Sequence, residues 1–171
     1  MFPPSGLGLH LRPVLGWRSI ALAVLIGLLF GCYMALADHT IFSAAIPLSQ
    51  RNNLTVVPVV PRIVLSSFGA LKDEIILRLC AMTLIVMVLT RHTKLRSATV
   101  GVVAAAFTAV VLYPIYAWGY FRMLDLSTLT VARELALHAT AGTLWGWLYW
   151  RHGWLAGHVS AHLTLQPLLS L

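Results

Sequence analysis

The chain has 171 residues, of which 59% are hydrophobic and 10% are charged, with a mean hydropathy of +0.84. Soluble domains are about one-quarter charged, so this composition lacks the polar residues that would cover a water-facing surface. The formal net charge is +7, but the basic residues fall largely in short segments between apolar runs, which is typical of membrane proteins and disfavours nucleic-acid binding.

The apolar runs predict about five membrane-spanning helices, because a span needs roughly 20 mostly apolar residues. The first run, Ser19–Ala37, follows Arg12 and Arg18. A cleaved signal peptide is the alternative for this run, since Ala35-Leu36-Ala37 resembles a cleavage site, but the run is long for the apolar region of a signal peptide. The further predicted spans are Arg62–Thr90, Ala98–Trp118, Val131–Trp150 and Trp154–Leu171.

The predicted fold class is therefore an all-α integral membrane protein, a bundle of about five transmembrane helices. A single membrane domain over residues 1–171 contains a first helix at 19–37 and a four-helix core at 62–171. Pro114 predicts a kink near the end of the third span. The segment Pro47–Pro61 is expected to be a loop or a re-entrant segment. The two cysteines, Cys32 and Cys80, lie in different predicted helices without metal-ligand spacing.

The distribution of basic residues predicts a multi-pass protein of the bacterial inner membrane with a cytoplasmic N-terminus. Under the positive-inside rule, the loops richer in Lys and Arg face the cytoplasm. The opposite side keeps Arg51 and Arg122, with Arg62 and Arg133 as further candidates. The basic residues on the predicted inner side are Arg12, Arg18, Arg91, Lys94, Arg96 and Arg151.

The second predicted span carries four charged residues where lipid is expected. A charged side chain at the bilayer centre costs about 2.5–3.5 kcal/mol even on lenient scales. Glu74 and Arg78 are four residues apart and can pair on one helical face, whereas Asp73 lies about 100° away around the helix. This leaves one acid unpaired unless Lys72 extends to neutralise it. The surplus acid favours a functional site over a purely structural ion pair.

Histidines in the last two predicted spans add polar groups at helical spacing. His158, His162 and Gln166 recur every four residues and form one stripe. His138 lies on a face with Gly142, and small residues on a face let another helix approach closely. A single buried histidine is more often a packing residue, but the coincidence with the acids of the second span favours one shared cavity.

The order of these motifs resembles the CPBP family, the glutamic intramembrane proteases related to the CAAX prenyl endopeptidase. That family shows Glu-Glu-x-x-x-Arg on one helix, Phe-x-x-x-His on the next, a Gly-rich helix ending near Leu-Tyr-x-Arg-x-Gly, and a final His-x-x-x-Asn. The resemblance covers about residues 65 to 167, on the segments Asp73-Glu74-Ile75-Ile76-Leu77-Arg78, Gly142-Thr143-Leu144-Trp145-Gly146-Trp147-Leu148-Tyr149-Trp150-Arg151-His152-Gly153 and Ala161-His162-Leu163-Thr164-Leu165-Gln166.

Three positions depart from the family pattern. Asp73 stands where the family has the Glu that the resemblance would make the general base, and Gln166 replaces the final Asn while keeping an amide. The third predicted span reads Phe107-Thr108-Ala109-Val110-Val111 and lacks the second-motif His. Either His138 takes that role or the protein does not cleave peptides. Glu134 and His138, four residues apart, are an alternative second motif that would disturb the helix order.

The resemblance implies an intramembrane endopeptidase, a CAAX protease-like hydrolase in which a carboxylate and an imidazole activate one water molecule. On this hypothesis either Glu74 or Asp73 is the base, His138 is its partner, and Arg78 orients the carboxylates. His162 and Gln166 would form the oxyanion pocket, because donors are worth most in a low-dielectric site. The expected catalytic residues are Asp73, Glu74, Arg78, His138, His162 and Gln166.

The expected partners are the lipid bilayer and a membrane-anchored protein or peptide substrate. A C-terminal anchor or sorting segment presented from the outer side is the substrate that the resemblance to short bacterial members implies. Neither a cofactor nor a nucleic-acid partner is expected. The non-enzymatic alternative is a catalytically inactive CPBP-like membrane scaffold or chaperone.

Three other classes of protein fit the sequence less well. A zinc enzyme would draw on Glu74, His138, His158 and His162, but no His-Glu-x-x-His motif occurs. Ser66-Ser67-Phe68-Gly69 lacks the Gly-x-Ser-Gly signature of rhomboid proteases. A transporter is disfavoured because the chain is short and has no repeated halves.

Overall fold

Five long helices, numbered α1 to α5, make up most of the computed structural model, which describes residues 16–47 and 56–169 and the side chains as far as residue 164. The predicted all-α fold is confirmed for these residues. Short helices at Ser43–Ala45 and Trp118–Phe121 lie in the connections. The long helices are α1 (Trp17–Thr40), α2 (residues 59–92, as Val59–Asp73, Glu74–Met82 and Thr83–His92), α3 (Ser97–Tyr116), α4 (residues 128–152, as Thr128–Arg133, Glu134–Ala139 and Thr140–His152) and α5 (Trp154–Leu169).

The five predicted spans coincide with these five helices to within about one turn at each end, the precision expected of helix boundaries. The predicted loop Pro47–Pro61 needs a correction at its end, while residues 48–55 lie outside the described residues. The helix α2 begins at Val59, so Pro61 belongs to its first turn. Proline is tolerated there because the first backbone N–H groups of a helix have no partner inside the helix.

The end of α3 follows from Pro114. The backbone N–H of Tyr113 bonds to the carbonyl of Thr108, five residues earlier, so the turn before the proline is π-helical. Proline has no N–H to continue the ladder. At Ala117 the backbone leaves the helical region, with φ −91° and ψ 25°. The helix therefore stops shortly after the proline at which a kink was predicted.

The helices pack closely through small residues. On α1, a Cβ at Gly27 would lie 2.7 Å from the carbonyl oxygen of Ser160 on α5, and the Thr164 hydroxyl donates a hydrogen bond of 3.1 Å to the Gly27 carbonyl. On α4, a Cβ at Gly146 would lie 2.7 Å from the Cβ of Ala105 on α3. Gly153, with φ 91°, makes the sharp turn from α4 into α5.

Among the residues that the structure describes, two helices are long and apolar enough to cross a membrane, judged by length and composition alone. They are α1 and α3, with mean hydropathies of 2.5 and 2.0, and about one-third of each apolar stretch (33%) is buried in the bundle. The helices α2 and α4 contain charged residues, and α5 has 16 residues. The prediction of about five transmembrane helices therefore stays a prediction for these three.

Candidate active site

A cavity of about 250 Å³ lies between α2, α3, α4 and α5. Helices α2, α3 and α4 each have a π-helical stretch that contributes residues to the cavity wall, at Glu74–Met82, Thr108–Leu112 and Glu134–Ala139 respectively. Such wider turns often occur at functional sites. The lining residues are Ser66, Gly69, Ala70, Asp73, Glu74, Leu77, Arg78, Ala109, Tyr113, His138, Gly142, Trp145 and Ala161.

Glu74 is the more deeply buried of the two acids of this cavity, with 3% of its surface exposed. Its Oε1 lies 3.7 Å from the Nε of Arg78, one turn further along α2, so the predicted pairing on one helical face is confirmed. This separation is too long for a hydrogen bond. Oε2 of Glu74 is buried and has no hydrogen-bond partner. One carboxylate oxygen of Glu74 is therefore without a donor among the described protein atoms.

Arg78 joins α2 to α4. Its Nη2 donates a hydrogen bond of 3.1 Å to the carbonyl of Gly142, and only 4% of the residue is exposed. A Cβ at Gly142 would lie 2.9 Å from the Cβ of Ala109, so α3 and α4 touch at this level. The guanidinium group therefore fixes α4 relative to Glu74 while balancing its charge.

Asp73 occupies a different environment from Glu74, although both line the cavity. Its side chain is 38% exposed, and its Oδ1 accepts a hydrogen bond of 2.9 Å from the hydroxyl of Tyr116 on α3. Lys72 has its ammonium 3.9 Å from the same oxygen and 5.4 Å from the centre of the Tyr116 ring. Asp73 therefore has partners at the rim of the cavity, and Glu74 is the acid with an unpartnered oxygen.

His138 is brought by α4 to the same cavity as Glu74. Its Nε2 is buried without a hydrogen-bond partner and lies 3.9 Å from Oε1 of Glu134, four residues earlier. That oxygen already accepts hydrogen bonds of 3.1 Å from Arg133 and from Tyr120. The imidazole is thus next to the acid of the alternative motif, but it is not hydrogen-bonded to it.

Trp145 adds a donor that the sequence had not suggested. The residue lines the cavity, and its indole Nε1 is buried without a hydrogen-bond partner. An indole nitrogen can only donate, so this N–H lacks an acceptor among the described protein atoms. In the sequence Trp145 had no role beyond its place in the Gly-rich segment, since tryptophan in an apolar helix is ordinarily a packing residue.

Of the two residues predicted to form the oxyanion pocket, His162 has a described side chain and Gln166 does not. His162 is not among the residues that line the cavity, although its neighbour Ala161 is. Its Nδ1 lies 3.2 Å from the hydroxyl oxygen of Ser67 on α2, and that hydroxyl donates to the carbonyl of Ile63 at 2.7 Å. The imidazole therefore links α5 to α2. The side chain of Gln166 lies outside the described part of the chain.

The histidine stripe of α5 does not assemble a metal site. His158 stacks on the ring of Trp154 with centroids 5.7 Å apart. Within residues 16–47 and 56–169, no group of three or more His, Cys, Asp and Glu residues is placed to hold a metal ion. The zinc alternative therefore finds no ligand set in that part of the protein.

A second buried charge cluster was missed by sequence reasoning. Arg133, 0% exposed, donates from Nε and Nη2 to the two carboxylate oxygens of Asp38 on α1, at 2.7 and 2.8 Å. Its Nη1 donates to Glu134 at 3.1 Å. Arg133, a candidate for the basic residues of the outer side in the sequence analysis, thus lies within α4 with its side chain buried in the bundle. The available signal was Asp38, one of only five acids in the chain, directly after the first apolar run.

No family model, no curated protein and no solved structure matches this chain.

Proposed function

We propose that the chain is a multi-pass membrane protein in which all five helices, α1 to α5, cross the bilayer. Support comes from the side chains on the outside of the bundle, where large apolar residues are exposed on α2 and α4 as well as on α1 and α3. Phe68 is 68% exposed and Leu135 52% exposed. Four charged residues of the same helices are buried in the bundle, namely Glu74, Arg78, Arg133 and Glu134. Lys72 is exposed and lies against the ring of Tyr116. Such an arrangement suits a lipid environment, because charged side chains within a membrane face the interior of the bundle.

The same proposal places the N-terminus in the cytoplasm. The hydroxyl of Ser19 and Nδ1 of His152 are 3.0 Å apart, so the start of α1 and the end of α4 lie at one level. The exposed Arg18 and Arg151 adjoin these two residues. Basic residues gathered at one end of a bundle are expected on the cytoplasmic side. Asp73 accepts a hydrogen bond from Tyr116 at the C-terminal end of α3, which supports a cavity in the outer half of the bilayer.

We further propose that the protein is a glutamic-type intramembrane endopeptidase. The observation that carries the proposal is that four residues lining one cavity each hold a buried polar atom without a hydrogen-bond partner. These atoms are an acceptor, Glu74 Oε2, an imidazole nitrogen, His138 Nε2, and two donors, Arg78 Nε and Trp145 Nε1. Leaving a buried polar atom unpaired costs about 1–3 kcal/mol, so such groups are rarely retained without a role.

Peptide hydrolysis would use each of these groups. Glu74 accepts a proton from a water molecule held in the cavity while the water oxygen attacks the carbonyl carbon of the substrate. The indole N–H of Trp145 donates to the oxyanion that forms. The proton taken up by Glu74 passes through His138 to the leaving nitrogen as the carbon–nitrogen bond breaks, and the products are a carboxyl group and an amine. Arg78 positions Glu74 and α4.

This assignment refines the one made from the sequence. The sequence left the general base open between Asp73 and Glu74. We assign it to Glu74, because Asp73 already has Tyr116 and Lys72 as partners. The roles of His162 and Gln166 as oxyanion donors remain predictions from the resemblance. The substrate we expect is a membrane-anchored protein cleaved near a C-terminal sorting segment, which can reach a cavity in the outer half of the bilayer.

Cleavage of a reporter library tests the proposal. The protein is reconstituted in liposomes with single-span reporters that carry randomised C-terminal segments, and release of a soluble tag is measured. Glu74→Gln keeps the size of the side chain but cannot accept the proton, so cleavage should fall by at least about 10²-fold. The matched control is Asp125→Asn, which alters an exposed acid outside the cavity and should leave the rate unchanged. Full activity of Glu74→Gln would refute the assignment.

The scaffold or chaperone alternative is favoured by one observation. At the level of the cavity α3 presents Ala109 and Tyr113 and no histidine. On that alternative the wild-type protein cleaves no reporter, and the same Glu74→Gln substitution changes only the free energy of unfolding. Both quantities are measured on the same samples, so the two functions are distinguished.

A further inference from the structure

A second cavity, of about 200 Å³, lies beside the first one, between α3, α4 and the segment that connects them. The two cavities share three wall residues, Ala109, Tyr113 and His138. His138 is the residue to which we assign proton transfer, so any group that fills the second cavity lies next to the reacting bond.

The remaining wall of this second cavity is largely apolar, with side chains such as Leu124, Leu135 and Phe121. Its volume is below the roughly 300–1,000 Å³ of sites that hold a whole small molecule, so it suits a single large side chain. The hydroxyl of Thr130, which also lines it, is already within 3.0 Å of the Ser127 hydroxyl.

One polar atom of this wall argues for a peptide over a lipid chain. Oε2 of Glu134 is buried and has no hydrogen-bond partner, and Glu134 lines the second cavity. A lipid acyl chain has no donor for this oxygen, whereas the backbone N–H of a peptide residue can bond to it. Such pairing would remove the cost of a buried unpaired acceptor.

We propose that the second cavity is the substrate subsite for one large apolar side chain next to the cleaved bond, with Glu134 accepting a hydrogen bond from that residue's backbone N–H. This inference rests on the proposed function. It specifies a substrate class, since segments with Leu, Ile or Phe at one position beside the cleavage point would be cut and those with Gly, Ala or a charged residue would not.

The first test fills the subsite. Ala139 lines the second cavity and not the first, so Ala139→Leu should exclude large side chains and leave the catalytic groups in place. Sequencing the cleaved members of the reporter library should show the preference for large over small apolar residues reduced by about tenfold or more, since one methylene in an apolar pocket changes discrimination by about 10–200-fold. The matched control, Ala132→Leu, makes the same change at an exposed position of α4 that lines neither cavity. An unchanged profile in Ala139→Leu overturns the inference.

The second test does not depend on cleavage. A photoreactive phenylalanine derivative replaces Leu135, an exposed wall residue, in the Glu74→Gln protein, and the crosslinked reporters are identified. Capture of reporters with Leu, Ile or Phe at one position supports the subsite, even if the wild-type protein cleaves nothing and the proposed function fails. Capture of lipid alone, or of reporters regardless of sequence, overturns the subsite while leaving the proposed function standing if cleavage is observed.

Discussion

The pair formed by Asp38 and Arg133 gives the sharpest prediction for the stability of the fold. Its two hydrogen bonds, of 2.7 and 2.8 Å, connect α1 to α4 in a fully buried environment. Asp38→Asn preserves the shape of the side chain and removes its charge. Arg133 would then still have Glu134, at 3.1 Å, as a charged partner.

The size of the effect follows from the geometry. Removing one partner of a buried ion pair costs about 3–5 kcal/mol. We expect Asp38→Asn to fall near the lower limit, because Glu134 still balances the guanidinium charge. Arg133→Met should fall near the upper limit, because it leaves two buried carboxylates, Asp38 and Glu134, without their cation. Combining Asp38→Asn with Arg133→Met should cost less than the sum of these two single changes, by about 0.5–3 kcal/mol.

The assay is reversible unfolding in detergent micelles, with the free energy of unfolding obtained for each variant. Asp125→Asn is the control, since substitutions at exposed positions usually change stability by no more than about 0.5 kcal/mol. The reasoning is refuted if Asp38→Asn behaves like this control, or if Arg133→Met is no more destabilising than Asp38→Asn.

Three further predictions concern the site, the packing and the first helix. Trp145→Phe removes the indole N–H, so kcat should fall by about 10²–10³-fold with little change in KM, as measured on a cleaved reporter. A rise in KM with an unchanged kcat would argue against an oxyanion role. Gly146→Ala should cost about 1–3 kcal/mol because its Cβ would meet Ala105 at 2.7 Å, whereas Gly69→Ala, with nothing within 4 Å, should be neutral or slightly stabilising in thermal unfolding. Because the ion pair of Asp38 with Arg133 connects α1 to α4, we expect α1 to stay in the mature protein. A tag at the N-terminus should then remain in immunoblots, and its loss would instead support the signal-peptide alternative.

The sequence alone determined where the helices lie and which charges meet within one helix. An apolar run of membrane length has few alternatives to a helix, so the five helices were predicted to within about one turn at each end. The contact of Glu74 with Arg78 could likewise be predicted, since residues four apart in a helix lie on one face whatever the surroundings.

Only the tertiary structure decided which helices share a cavity and which polar atoms in it lack partners. Residues on different helices are joined by the hydrogen bond from Tyr116 to Asp73, by the pairing of Arg133 with Asp38, and by the cavity that Trp145 and Glu74 both line. Helical periodicity fixes the direction of a side chain relative to its own axis, but not the rotation or height of the neighbouring helix. Those depend on small residues such as Gly142, where α3 and α4 come into contact.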